Sequence, residues 1–243
     1  MKCHQVGQKF VGSIFVMSAL GLICSCGTSS DDWTETQPMP SEEIEVIYQQ
    51  YEKDNLLIDK ETYFWIHEPE FEVERLERLL QTPGGVNSIY SETQSTFLYG
   101  ASTGSKKQPI SAEVLINNGA DVNIITNSGL TPLHVAALVC NVAVANLLLE
   151  NGADVHATDQ YGFTPLMKAC QNGLNPHDRQ EMVQLLIKWG ANPKTYIPYE
   201  IWQQSTWPRT PYDGLKEQWE KYQDAEAKQI MDQWEAPPML PQG

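Results

Sequence analysis

The phrase Asn118-Gly119-Ala120-Asp121-Val122-Asn123 returns 33 residues later as Asn151-Gly152-Ala153-Asp154-Val155-His156, and Trp189-Gly190-Ala191-Asn192-Pro193 follows after another 38. A period of this length means stacked supersecondary units, each too small to bury its own apolar face. Such stacks present long surfaces rather than deep pockets, which favours binding over catalysis. A second phrase keeps the same step. Thr131-Pro132-Leu133-His134-Val135-Ala136-Ala137 reappears as Thr164-Pro165-Leu166-Met167-Lys168-Ala169-Cys170. Pro132 and Pro165 suit the first turn of a helix, where no donor is lost. Thr131 and Thr164 stand where an N-cap hydroxyl is useful. Gly152 and Gly190 fit the left-handed residue that ends a helix. Asn127-Ser128-Gly129 and Gln160-Tyr161-Gly162 carry tight-turn chemistry between units.

These residues resemble the ankyrin repeat: a hairpin, a Thr-Pro-Leu-His helix start, a second helix ending in Leu-Leu-Leu, then Gly-Ala-Asp. The resemblance covers about half the chain, Val86 to Lys194. It implies an all-α ankyrin-repeat solenoid of about three to four helix-turn-helix repeats with hairpin loops, closed by helical N- and C-terminal caps. The third copy carries five extra residues, placed between its two helices at Asn175 to Glu181. The first, Val86 to Asp121, has Thr96-Phe97-Leu98-Tyr99-Gly100-Ala101 in place of the helix-start phrase and a Lys106-Lys107 loop insertion. Val73 to Leu80 is a candidate second helix of a still more degenerate unit.

The flanks complete the organisation: an acidic helical cap over residues 41–85, repeats over 86–195, and an aromatic-rich segment with a capping helix over 196–243. Ser41 to Lys53 reads as a helix, with Glu42 and Glu43 in its first turn and Ile44, Ile47, Tyr48 and Tyr51 on one face. Phe71 to Leu80 reads as another. At the far end Asp213 is expected to cap a helix running to about Trp234, with Leu215, Trp219, Tyr222 and Ile230 on one stripe. Four of the seven Trp lie after residue 200. This aromatic mass either packs on the last repeat or supplies a second binding edge, since Trp and Tyr are favoured at binding hot spots.

Residues 1–25 read as an address. Lys2 and Lys9 form a basic start, and Phe10 to Ile23 is an apolar run of 14 residues, short for a membrane span. It ends in Ile23-Cys24-Ser25-Cys26. The arrangement resembles a bacterial lipoprotein signal, which implies lipidation of Cys26. Cys24 stands where Ala or Ser is usual. Ordinary cleavage after Gly21 and an uncleaved anchor helix are the alternatives. The two-or-more acyl chains of a lipidated Cys26 would hold the chain on a membrane, and Gly27 rather than Asp after it implies the outer one. Residues 26–40 are then a lipidated Cys and a flexible polar tether.

Charge narrows the partner. The net charge of −15 becomes −17 without Lys2 and Lys9, and residues 31–80 alone hold 15 acids against four bases. Such a flank disfavours nucleic acid and anionic lipid heads. It either steers a basic protein partner or simply solvates the surface. Cys140, at the turn between two helices, and Cys170, in a small buried position, are expected at different heights in the stack and so as free thiols, with a disulfide in an oxidising envelope as the alternative.

No catalytic motif emerges. His67-Glu68-Pro69-Glu70 lacks the second His of a zinc helix, and neither a Gly-x-Ser-x-Gly elbow nor a phosphate-cradling glycine loop occurs. His156 and His177 have no partner at metal spacing, and no cofactor, metal or small-molecule substrate is expected. The ankyrin resemblance gives His134 a structural role, hydrogen-bonding the neighbouring hairpin. It also puts targets on the hairpin tips and the exposed face of each first helix. The expected partner-binding residues are Leu130, Leu138, Val139, Tyr161, Phe163, Asn127, Gln160 and Gln171, with Glu92, Thr93, Ser95, Thr103, Ile125, Thr158, Asn172 and Ser128 also outward. An apolar group rimmed by amides and hydroxyls suits a protein-binding centre. The chain therefore reads as a non-enzymatic, envelope-anchored binding module. Two functions fit: an immunity-type inhibitor that neutralises a toxic effector in the periplasm, or a scaffold that holds an endogenous periplasmic enzyme at the membrane.

Overall fold

Four threonines, at 96, 131, 164 and 210, each cap a helix in the same way. The hydroxyl oxygen accepts the backbone N–H of the residue three positions on: Tyr99 at 3.1 Å, His134 at 3.4 Å, Met167 at 3.3 Å and Asp213 at 2.9 Å. Each such cap satisfies one of the orphan donors of a helix start and contributes about 1 kcal/mol. The chain is seen in a computed structural model that describes residues 33–53, 57–58, 84–90, 95–103, 110–171, 176–198, 208–222 and 225–234. Residues 1–25 with Cys26, the helix expected over Phe71–Leu80, Lys106-Lys107, Asn172 and most of the aromatic stretch after Pro198 lie outside them.

Among the described residues α1 (Ser41–Lys53) comes first. Four helix pairs follow among them: α2 (Phe97–Thr103) with α3 (Ile110–Asn117), α4 (Pro132–Leu138) with α5 (Val142–Glu150), α6 (Pro165–Gln171) with α7 (Pro176–Lys188), and α8 (Pro211–Tyr222) with α9 (Ala225–Met231). Their packing forms two rows, α2-α4-α6-α8 and α3-α5-α7-α9. One continuous core runs between the rows, through Leu98, Leu115, Leu133, Leu148, Leu166, Leu186, Leu215 and Ile230. Small residues allow the first row to close up. Ala136, Ala137, Ala169 and Cys170 are fully buried. A Cβ on Gly214 would lie 3.2 Å from the Cβ of Cys170.

Two expectations need correction here. The C-terminal segment is not a single capping helix but a fourth repeat. Its cap is Thr210, and Asp213 is the third helical residue, its carboxylate accepting the Thr210 hydroxyl at 2.9 Å. A straight helix to Trp234 would touch one row only, whereas α8 and α9 cover both. Likewise, the five extra residues of the third unit are mostly helix. They lengthen α7 to 13 residues against nine in α5, with Pro176 at its start.

A backbone bond spans each hairpin between pairs: Thr126 N–H to Leu130 O at 3.0 Å, Asp159 N–H to Phe163 O at 3.1 Å and Ile197 N–H to Arg209 O at 3.0 Å. The first two enclose three residues between the bonded positions, and the last encloses 11, residues 198–208. Four extra residues in α7, one before it and eight between Ile197 and Arg209 account for the step from Thr164 to Thr210, 46 instead of 33. Gly152 and Gly190 end their helices with φ of +87° and +96°, as their left-handed role requires. An amide ladder ties neighbouring hairpins. Asn123 donates to Gly152 O at 3.0 Å and accepts from Asp154 N–H at 2.9 Å, and Asn87 does the same one unit earlier with Gly119 and Asp121.

Short strands complete the hairpin side. β1 (Thr34–Glu35) runs parallel to β5 (Thr195–Tyr196), and β3 (Ile89–Tyr90) lies between parallel β2 (Leu57–Ile58) and antiparallel β4 (Ser95–Thr96). The tether expected up to Pro40 is thus corrected from Trp33 onward. Thr36 is buried, and the chain crosses from the fourth hairpin past the third to α1. There Ile44 packs with Ile89, Ile124 and Ile125, flanked by Met39 and Ile47.

Candidate partner-binding face

The exposed side chains expected to grip a partner separate into two groups. The first sits at the hairpin tips, Asn127 and Leu130 in one turn, Gln160 and Tyr161 in the next. Gln160 N–H donates to Ser128 O at 3.0 Å, which brings the tips together. Tyr161 is 52 % exposed, Asn127 is exposed, and Leu130, Ser128, Thr158 and Gln160 are half-buried. The second group sits at the far ends of the first-row helices. Leu138 is 42 % exposed, and Val139 and Gln171 are half-buried. Seven-residue α4 separates the groups by about 10 Å of helix. Gln171 also touches the fourth repeat, its carbonyl accepting from Gln218 at 3.2 Å.

Three side chains expected outward are buried instead. Phe163 is 3 % exposed and packs with Met167 and Ile197. Ile197 belongs to the fourth hairpin, so Phe163 is covered by a repeat that the sequence reading had replaced by a single helix. Lys168 completes the enclosure, its ammonium 4.1 Å from the Phe163 ring centre. Ile125 lies beneath the Ile44 side of α1, and Ser95 is held in the β3–β4 pair. Glu92, Thr93 and Asn172 lie outside the described residues.

Asp159 organises the tip. It is 2 % exposed, accepts the N–H groups of Tyr161 and Phe163 at 2.9 Å each, and meets the Lys168 ammonium at 2.8 Å. The buried charge is thereby both paired and hydrogen-bonded, as burial demands. His134, also fully buried, bridges to this turn. Its Nε2 lies 2.9 Å from Phe163 O, and its Nδ1 accepts from Thr131 N–H at 3.2 Å. That network assigns the Nε2–H tautomer. Burial lowers the His134 pKa to about 4 against the opposing pull of Asp159, so the ring is neutral at pH 7. Its role is structural, the one the sequence implied.

Little else among the described residues resembles a reaction centre. The reading that gave His177 no neighbour at metal spacing is corrected. Its Nδ1 is 3.8 Å from Glu181 and 4.0 Å from Asp178, all on the first turn of α7, with donor atoms within 4.8 Å of one another. His177 and Glu181 are exposed, however, and exposed His–acid neighbours at this spacing are an ordinary feature of helix surfaces. Cys140 and Cys170 are buried and form no disulfide, and burial pushes the Cys170 thiol pKa well up, which disfavours the reactive thiolate.

The family model for ankyrin repeats in three copies matches residues 72–159 and 98–196, which together span just over half of the chain. No curated protein matches it. The family comprises non-catalytic protein-binding scaffolds for the most part. The matched span ends where the fourth hairpin begins, and the fourth pair continues it with the same cap and the same hairpin closure. The chain belongs to the ankyrin-repeat family.

Proposed function

We propose that this protein is a lipid-anchored inhibitor, an immunity-type lipoprotein that binds and neutralises a toxic effector in the bacterial periplasm. The repeats make it a protein-interaction module, and the observation that carries the reading is the pair Tyr161 and Leu138. Both are large, apolar and exposed on the side of the first-row helices and hairpin tips, Tyr161 beside Asn127 and Gln160 and Leu138 beside Val139 and Gln171. Binding centres have this composition. Anchoring rests on the Ile23-Cys24-Ser25-Cys26 sequence, with Cys26 as the acylated residue and the outer membrane as its destination. The inhibitor role rests on analogy with ankyrin lipoproteins that accompany interbacterial toxins. The acidic charge favours a basic effector.

The test is recovery of partners from the native envelope by a soluble form, residues 27–243, with a Leu138→Glu/Val139→Glu double variant as control. The proposal expects one secreted effector in equal stoichiometry, lost with the variant. A resident envelope enzyme would instead make the protein a scaffold. Unchanged binding by the variant would move the site off the repeat face. Cys26→Ala should release the protein from the membrane fraction, and unchanged fractionation and acyl mass would refute the anchor.

A further inference from the structure

Backbone atoms do most of the work where the N-terminal segment crosses the hairpins. Thr34 N–H donates to Lys194 O at 2.7 Å, Thr36 N–H to Tyr196 O at 2.8 Å and Met39 N–H to Asp159 O at 3.2 Å, while the Thr158 hydroxyl donates to Gln37 O. These are the bonds of strand addition, and they accept an extended chain of almost any sequence. One position is selective. Thr36 enters a slot over Gly162, where a Cβ would lie 2.8 Å from the Thr36 hydroxyl oxygen. That hydroxyl donates to Tyr196 O at 3.2 Å.

A cavity of about 320 Å³ lies beside the segment, lined by Thr34, Gln37, Thr158 and Asn192 and also by the apolar Val155 and Ala191. Met39 packs against the isoleucine cluster that holds α1, where Ile44 is 5 % exposed. Residues 34–37 are tied to the repeats chiefly by the hydrogen bonds above. A segment tied in this way is exchangeable, because each bond contributes little net of the water it displaces.

We propose that the hairpin side of the third and fourth repeats is a docking site for an extended polypeptide segment, occupied in the resting protein by residues 33–40 as an exchangeable strap. A partner's extended segment with a small hydroxyl residue over Gly162 takes its place. α1 stays bound through Ile44 and keeps the strap nearby. This site adjoins the Tyr161 tip through Thr158, Asp159 and Gly162, but it works through extended-chain pairing and does not depend on the inhibitor reading.

The probe is a synthetic peptide of residues 33–40, with Trp33 as its fluorophore. The receptor is the chain carrying Thr36→Pro, which removes both the N–H and the hydroxyl that hold the strap and leaves the repeats unaltered. The peptide should bind this variant at least tenfold more tightly than the unaltered chain, and a peptide with its own Thr36→Pro should not bind. A Thr158→Val change in the same receptor should weaken the peptide several-fold. If the variant keeps its melting transition yet binds no peptide, or if the unaltered chain binds it equally well, the proposal fails.

Discussion

The second repeat and the fourth are built alike and look nothing alike in sequence. Thr131-Pro132-Leu133-His134 announces one, and Thr210-Pro211-Tyr212-Asp213 hides the other behind a 13-residue lengthening of the period. In both, the threonine caps its helix and shares a second bond with the residue three on, an imidazole in one and a carboxylate in the other. In both, a backbone bond spans the base of the hairpin. The difference teaches that the unit is defined by where its hydrogen bonds close, not by the length of the turn between them. Turn length is cheap because loop entropy grows slowly with length.

If the fourth repeat is as integral as the second, equivalent damage should cost the same. Leu133 and Leu215 are both 0 % exposed, so Leu133→Ala and Leu215→Ala should each destabilise by about 3 kcal/mol in chemical denaturation. A Leu215 variant near zero would reduce α8 to a surface attachment. The next effect separates the two caps by pH. His134 has a folded pKa near 4, below the unfolded value of 6.5, so the unfolded state binds the extra proton between them. Its contribution is complete above pH 6.5 and lost as pH falls towards 4, a loss on the order of 3 kcal/mol. His134→Met, which copies Met167, should flatten that slope relative to the unaltered chain; an unchanged slope would place the titration elsewhere.

Gly214→Val tests the contact between the third and fourth units. Its new side chain would meet Cys170, and overpacking of this kind costs about 2 kcal/mol. A neutral result in thermal melting would mean that α8 stands off from α6. Smallest are the caps themselves: Thr131→Ala and Thr210→Ala should each lose about 1 kcal/mol, and a large inequality between them would sharpen the comparison against the fourth unit.

The sequence made the middle of the stack legible because caps, turn glycines and the 33-residue step all coincide there. It also placed α1 at Ser41–Lys53, since an acidic first turn and a one-sided apolar spacing are local signals. The fourth repeat was missed although Thr210-Pro211 was visible. Two insertions had broken the period, and an Asp at the position of His134 obscured the box. From that one omission came the misplacement of Phe163, whose burial depends on Ile197 in the missing hairpin. Ile125 and the strap were illegible for a different reason. Their burial is a pairing between residues about 80 to 160 positions apart, made by side-chain packing at Ile125 and largely by backbone atoms at the strap, and no local pattern encodes it. The exposed positions Tyr161 and Leu138 followed directly from repeat register.

Amide hydrogen exchange on the intact chain tests the four-repeat account most directly. The Ile197 and Asp213 amides close the fourth hairpin and cap, and the Asp159 and His134 amides do the same work in the units before. The account predicts protection within about tenfold between the two pairs, since one cooperative core supports both. Exchange of Ile197 and Asp213 at the rate of a free peptide, with Asp159 and His134 protected, would contradict it.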